Sequence, residues 1–161
     1  MITLKPADPA PDSQDCRAVW EWRNDPVTRQ MSRTTELIPW ESHKRWYEKF
    51  ARAPQTSLLI ASIDGAPACM VRFDTLLPGA CELHINMNPA LRGKRHGGPI
   101  LAAACAYGFE RLHFNTIDAN IKVENLPSIK IFEGCGFVRQ GEHAGMLTYK
   151  LARLRACSVP E

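Results

Sequence analysis

Apolar residues recur with period two over short runs of the chain and with period 3.6 over longer ones, and turn residues separate the two kinds. Residues 2–6 begin as a strand that the Pro-rich 6–11 stretch closes. Asp12 or Ser13 can cap a helix through Arg17, Val19, Trp20 and Arg23, which stops before Asp25 and Pro26. A polar, irregular stretch follows. Pro39 leads into a second helix over 41–52, with Trp46, Tyr47 and Phe50 on its apolar face. Strands at 57–63 and 67–76 flank the hairpin signal Asp64-Gly65, and Pro78-Gly79 turns the chain into a strand over 80–87. In that strand Glu82, His84 and Asn86 alternate with Leu83, Ile85 and Met87. Residues 88–98 form a loop rich in Gly and cations, and a helix over about 99–112 carries Pro99 in its first turn. A strand at 116–123 precedes a helix at 125–133 with Gly134 or Gly136 as its C-cap, and strands at 137–140 and 146–151 close the chain.

The order βααβββαβαββ predicts an α+β fold, one mixed sheet with helices on both faces. No repeat or linker divides it, so the expectation is one domain over 1–152 with a loose tail over 153–161. A chain of 161 residues has room for one core. The net charge of +3 is too small to imply a nucleic-acid partner, and no run is long and apolar enough to span a membrane. Six scattered cysteines without a CxxC pair, most of them in apolar runs, point to reduced core thiols and a cytoplasmic protein. No residue cluster calls for a metal.

The most informative segment is 88–101, NPALRGKRHGGPIL. A strand enters a Gly-rich cationic loop that opens directly into a helix, which aims backbone N–H groups and the positive helix end at one point. A pyrophosphate would seat there, with Arg92, Lys94 and Arg95 around it. The alternative is a solvated basic turn with a Gly cap. The GK[ST] ending of a Walker loop is absent.

At these residues the chain resembles the GNAT acetyltransferases. Arg92 and Gly97 match the ends of their coenzyme motif [RQ]xxGxG/A, and residues 117–137 are similar to their closing pattern, N-x-x-S-I-x-x-[YF]-x-x-x-G-F after a strand. Within that superfamily the chain looks like the sugar-nucleotide N-acetyltransferases of bacterial nonulosonic (pseudaminic-type) and surface-glycan pathways. Trp22-Arg23-Asn24-Asp25, the Trp40, Glu41, His43 and Trp46 set, and Val71-Arg72-Phe73-Asp74 carry this likeness. Two departures stand out. Arg95 occupies the place of the motif's middle glycine, and Phe132 stands where many members have a tyrosine that protonates the leaving thiolate.

The resemblance implies acetyl-CoA as co-substrate and a sheet whose fourth and fifth strands splay apart around it. The coenzyme would meet Ile85, Met87, Arg92, Gly93, Lys94, Arg95, His96, Gly97, Gly98, Asn125, Ser128 and Phe132, with a main-chain N–H near Met87 on the thioester oxygen. Glu82 or His84 would remove the amine proton, directly or through a water. Asn125 is also a natural N-cap. Arg23, Asn24, His43, Trp46 and Arg72 would form the acceptor side, suited to a nucleotide diphosphate and a stacked base.

The function expected is acetyl transfer from acetyl-CoA to a primary amine of an amino-sugar nucleotide. The alternatives are a protein N-terminus or another small amine as acceptor, and an acyl-CoA-binding domain without turnover. A basic pocket favours the sugar nucleotide and an acidic groove favours a peptide. A homodimer is compatible with the chain.

Overall fold

The structure, a computed structural model, describes residues 1–154. Seven strands form one sheet, β1 (Ile2–Pro6), β2 (Thr56–Ile63), β3 (Ala66–Leu77), β4 (Ala80–Met87), β5 (Thr116–Lys122), β6 (Val138–His143) and β7 (Met146–Ala152). Their order is β1-β2-β3-β4-β5-β7-β6, and every pairing is antiparallel except β4 with β5. The helices are α1 (Gln14–Asn24), α2 (Pro26–Gln30), α3 (Trp40–Ala51), α4 (Gly97–Glu110) and α5 (Leu126–Gly134). The expected α+β architecture is the one observed.

The alternation of each strand divides two cores between the sheet's faces. On one face Phe73, Leu83, Ile117 and Tyr149 pack with Ile100, Leu101 and Ala104 of α4. Helix α4 lies close to the sheet because Gly108 has no side chain, and a Cβ there would stand 3.0 Å from Phe73 Cε1. On the other face Leu58, Ile60 and Met70 pack with Cys16, Val19 and Trp22 of α1 and with Tyr47 of α3.

One helix was absent from the sequence expectation. Asp25 and Pro26 end α1, but the same two residues start α2. The Asp25 carboxylate accepts from Thr28 N–H at 3.0 Å, and Pro26 occupies the first turn, where a missing N–H costs nothing. Helix α4 also begins earlier than expected, at Gly97, which makes the basic loop shorter. Of the expected loose tail, Arg153 donates its N–H to Asn115 O at 2.8 Å, and residues 155–161 lie outside the described part.

His43 is corrected by the structure. Expected on the acceptor side, it is 2 % exposed inside the second core, between Trp40, Trp46 and Tyr47, with Nε2 2.9 Å from Cys16 O. It joins α3 to α1. Its place on the apolar face of α3 was the available sign, since a helical residue four before Tyr47 shares that residue's face.

Burial holds the His43 imidazole below its ordinary 6.5, aided by Arg23 and opposed by the Cys16 carbonyl. The unfolded chain therefore takes up a proton near pH 6.5 that the folded chain refuses. Stability present above that value should fall as the solution is acidified toward the folded value, by up to about 1.4 kcal/mol per pH unit. Urea midpoints at about pH 7.5 and 5.5 should differ in the wild type, and His43→Gln should be less stable with a flatter profile. Parallel profiles would remove His43 from this role.

Candidate active site

Strands β4 and β5 pair only at Ala80 with Thr116, Cys81 with Ile117 and Glu82 with Asp118. Beyond Glu82 they part, as the resemblance implies, while β5 keeps β7 along its other edge. The N–H of Asn88 donates to Ala68 O at 2.8 Å, which sets the parity of the β3–β4 ladder. By that parity Ile85 and Met87 turn their N–H groups to the opened edge. Such an edge offers backbone donors to a hydrogen-bonding guest.

At the far end of the opened edge, α4 starts at Gly97 and Gly98 behind His96, whose side chain makes no capping bond. Free N–H groups at the start of a 14-residue helix favour an anion. Gly97 keeps the helix start close to α5, since a Cβ there would stand 2.7 Å from Ile131 Cδ1. Gly93, Lys94 and Arg95 are exposed around this point. The residues present fit a diphosphate-bearing thioester: a cationic loop and helix start for the phosphates, and an unpaired strand edge for an amide-containing arm. When bound, that group supplies the activated acyl carbonyl.

Three of the expected coenzyme residues have protein partners of their own. The Arg92 guanidinium is paired with Asp25 and donates to Thr28 Oγ1 at 2.7 Å, so it ties the loop to α2 instead of reaching the helix start. That bond holds the Asp25 carboxyl below its ordinary value. Asn125 caps α5, its Oδ1 accepting from Ser128 N–H at 3.3 Å. Phe132 is buried in the core with its ring edge-on to Phe137.

At the vertex of the splay, on the face away from α4, lies a charged cluster. Glu82 Oε1 accepts from Asn120 Nδ2 at 2.8 Å and lies 3.5 Å from Arg33 and 3.7 Å from His84 Nε2. Among the described residues Glu82 Oε2 has no protein donor. His84 Nε2 is closed to solvent and 3.1 Å from Asp74 Oδ2. Arg72 holds the same Asp74 oxygen through Nε at 3.1 Å and a terminal nitrogen at 3.0 Å, and lies over Trp46 and Phe50. Burial works to raise the Asp74 carboxyl, but His84 and Arg72 outweigh it and hold the carboxyl low.

Of the expected acceptor residues, Asn24 is committed elsewhere. Its amide donates to Ile38 O at 3.0 Å and accepts from Ile38 N–H at 2.8 Å, fixing the loop before α3 onto α1. Arg23 is half-buried and, among the described residues, has no carboxylate partner; burial and the nearby Arg72 lower its affinity for its proton. A cavity of about 520 Å³ opens beside Glu82, lined by Arg33, Asn120, Lys122, His143, Met146 and Thr148. None of these six was anticipated. The signal was present in the alternation of Asn120 and Lys122 along β5 and of Met146 and Thr148 along β7, which the inward Ile121 and Leu147 fix to this face.

Arg95 has a left-handed backbone, φ +62°, which glycine adopts without a Cβ penalty. Arg95→Gly should therefore stabilise the fold by up to about 1 kcal/mol, a rise in Tm of about 2–4 °C for a chain of this size. Arg95→Ala keeps the strain and removes only the charge. It should leave Tm near wild type while weakening acetyl-CoA binding, most strongly at low salt. Calorimetry and titration of both variants check this, and equal Tm values for the two would remove the strain argument.

The profile of the Acetyltransferase (GNAT) domain matches residues 2–138. Acetyltransferase PseH of Campylobacter jejuni is 25% identical over 122 residues, 76% of either chain. The crystal structure of Campylobacter jejuni PseH with acetyl coenzyme A superposes with a TM-score of 0.75 at 21% identity, covering 96% of this chain and 100% of that one. Spermidine N-acetyltransferase from Vibrio cholerae, in complex with CoA and spermine, gives 0.77 at 17% identity, with 92% of each chain covered. With most of its length matched by one profile, the chain belongs to the GNAT acetyltransferase family.

Proposed function

We propose that this acetyltransferase moves the acetyl group of acetyl-CoA to the primary amine of an amino-sugar nucleotide, and that it works in the cytoplasm. The unpaired Arg23 carries the choice of acceptor. A half-buried guanidinium without a carboxylate, beside a second guanidinium at Arg72, suits an anionic ligand and repels a cationic one. The cavity beside Glu82 agrees, because its formally charged lining residues are the cations Arg33 and Lys122. A diphosphate meets both requirements. The likeness of Trp22-Arg23-Asn24-Asp25 and Val71-Arg72-Phe73-Asp74 to sugar-nucleotide N-acetyltransferases supports a sugar acceptor, whereas the polyamine bound by the Vibrio cholerae enzyme would meet like charge here. Five free thiols among the described cysteines agree with a reducing compartment.

Glu82 is the base in this proposal. Its Oε2 has no protein donor, and it stands at the vertex of the splay where amine and thioester would meet, directly or through one water. His84 is less suited, because its Nε2 already faces Asp74. Ile85 and Met87 N–H would take the pantetheine and the thioester oxygen. Phe132 has no proton to give, so the leaving thiolate is protonated by solvent.

Thiol release from acetyl-CoA tests both parts. UDP-glucosamine should be acetylated with kcat/KM about 10–100-fold above free glucosamine, the difference that a charge-assisted diphosphate contact provides. Arg23→Ala should remove most of that difference. A preference for spermidine or for a peptide N-terminus would overturn the anionic acceptor, and no thiol release with any amine would overturn turnover itself. Glu82→Gln should lower kcat about 100-fold or more with the KM for acetyl-CoA unchanged. The rate should show no fall near pH 10, where a tyrosine acid would ionise.

A further inference from the structure

Backbone pairing between β4 and β5 ends at Glu82 and Asp118, yet the strands remain linked one step further by side chains. Thr148 Oγ1 on β7 donates to Asn120 Oδ1 on β5 at 3.1 Å, and Asn120 Nδ2 donates to Glu82 Oε1 on β4 at 2.8 Å. Register explains the line. Asn120 is directly opposite Thr148, and Asn120 is two residues beyond Asp118, on the same face as Glu82. We infer that Thr148 and Asn120 are positioning residues that act through Glu82: they fix which carboxylate oxygen is occupied and which is free for the reaction.

The direction of the relay follows from its chemistry. A carboxylate only accepts, so the Asn120 amide must present its NH₂ to Glu82. Its oxygen then needs a donor, and the Thr148 hydroxyl is that donor. Without Thr148 the amide can rotate, and its oxygen would face a carboxylate oxygen, acceptor against acceptor. With it, Oε1 is held and Oε2 stays open. The same two residues line the cavity beside Glu82, so the relay also forms part of the acceptor wall. Other charged groups face Glu82 as well: Arg33 from the loop after α2, His84 on its own strand, and Asp74 and Asp118 across the neighbouring strands. None of them fixes Oε1 from as near as Asn120.

The inference rests on Glu82 as the base, and two measurements separate its failure from that of the base assignment. The first is the side-chain amide resonance of Asn120 in ¹⁵N-labelled protein, which needs no substrate. It should move in Glu82→Gln and in Thr148→Val, and return toward wild type in Thr148→Ser. An unmoved resonance in Glu82→Gln and Thr148→Val overturns the relay. The second is thiol release with acetyl-CoA and UDP-glucosamine. Asn120→Ala should lower kcat about tenfold or more with the acetyl-CoA KM held. Thr148→Val should do so more weakly, and Thr148→Ser should recover most of the rate. Asn120→Asp sets a second carboxylate against Glu82 and should move the rising limb of the pH–rate profile to higher pH. A crippled Glu82→Gln beside a wild-type Asn120→Ala overturns the relay alone. An unimpaired Glu82→Gln overturns the base and this role together.

Discussion

The early end of one strand pairing governs the rest of the molecule. After three paired positions β4 leaves β5, and the N–H and C=O groups that would have closed the ladder face an open cleft. Backbone groups in such a place are costly unless a guest satisfies them. The sheet survives because its other pairings are long: β3 holds β4 along the strand's whole length, and β7 holds β5 at seven positions. One hydrophobic core, with Phe73 and Leu83 on one side of the parting and Ile117 and Tyr149 on the other, holds the two halves together. Helix α4 covers the opening from one face and delivers its uncapped start to the cleft's far end. Helices α1 and α3 pack on the opposite face.

Charge is sorted along the same line. Asp74, Glu82, Asp118 and Lys150 occupy one register row across four adjacent strands, three carboxylates followed by a cation. Such a row would be unfavourable without counter-charges. Arg72 and His84 serve Asp74, Arg33 approaches Glu82, and Lys150 lies 3.8 Å from Asp118. The negative row lies at the splay's vertex, with cations lining the cavity next to it. A zwitterionic ligand, ammonium toward the vertex and phosphate toward the arginines, matches both signs.

Most of the element order was legible because it depends on local signals, while the splay of β4 from β5 came with the family resemblance. The Asp64-Gly65 turn, the alternation through 80–87 and the Asn125 cap each follow from a few neighbouring residues. What escaped was decided by distant partners. Arg92 is a loop cation in sequence, and only the folded chain brings Asp25 to it across 67 positions. His43 beside tryptophans suits a ligand wall equally well as a core, and the Cys16 carbonyl settles it. Asn120 and Thr148 look like ordinary outward strand residues until the β5–β7 register makes them opposite neighbours. The bulky sign missed most plainly was Asp25-Pro26, which punctuates a helix end and a helix start with the same two residues.

The buried cysteines have a chemical consequence for a cleft that produces a free thiol at each turnover. Burial pushes the Cys16 thiol up to about 11 and those of Cys69, Cys81 and Cys105 up to about 12. Disulfide exchange proceeds through the thiolate, and at neutral pH these groups are almost wholly protonated and walled off by packing. The coenzyme product therefore meets no competent sulfur at these four buried positions, which stay clear of mixed disulfides with it. Mixing small, oxidisable side chains into the core costs the enzyme nothing as long as the fold stays closed.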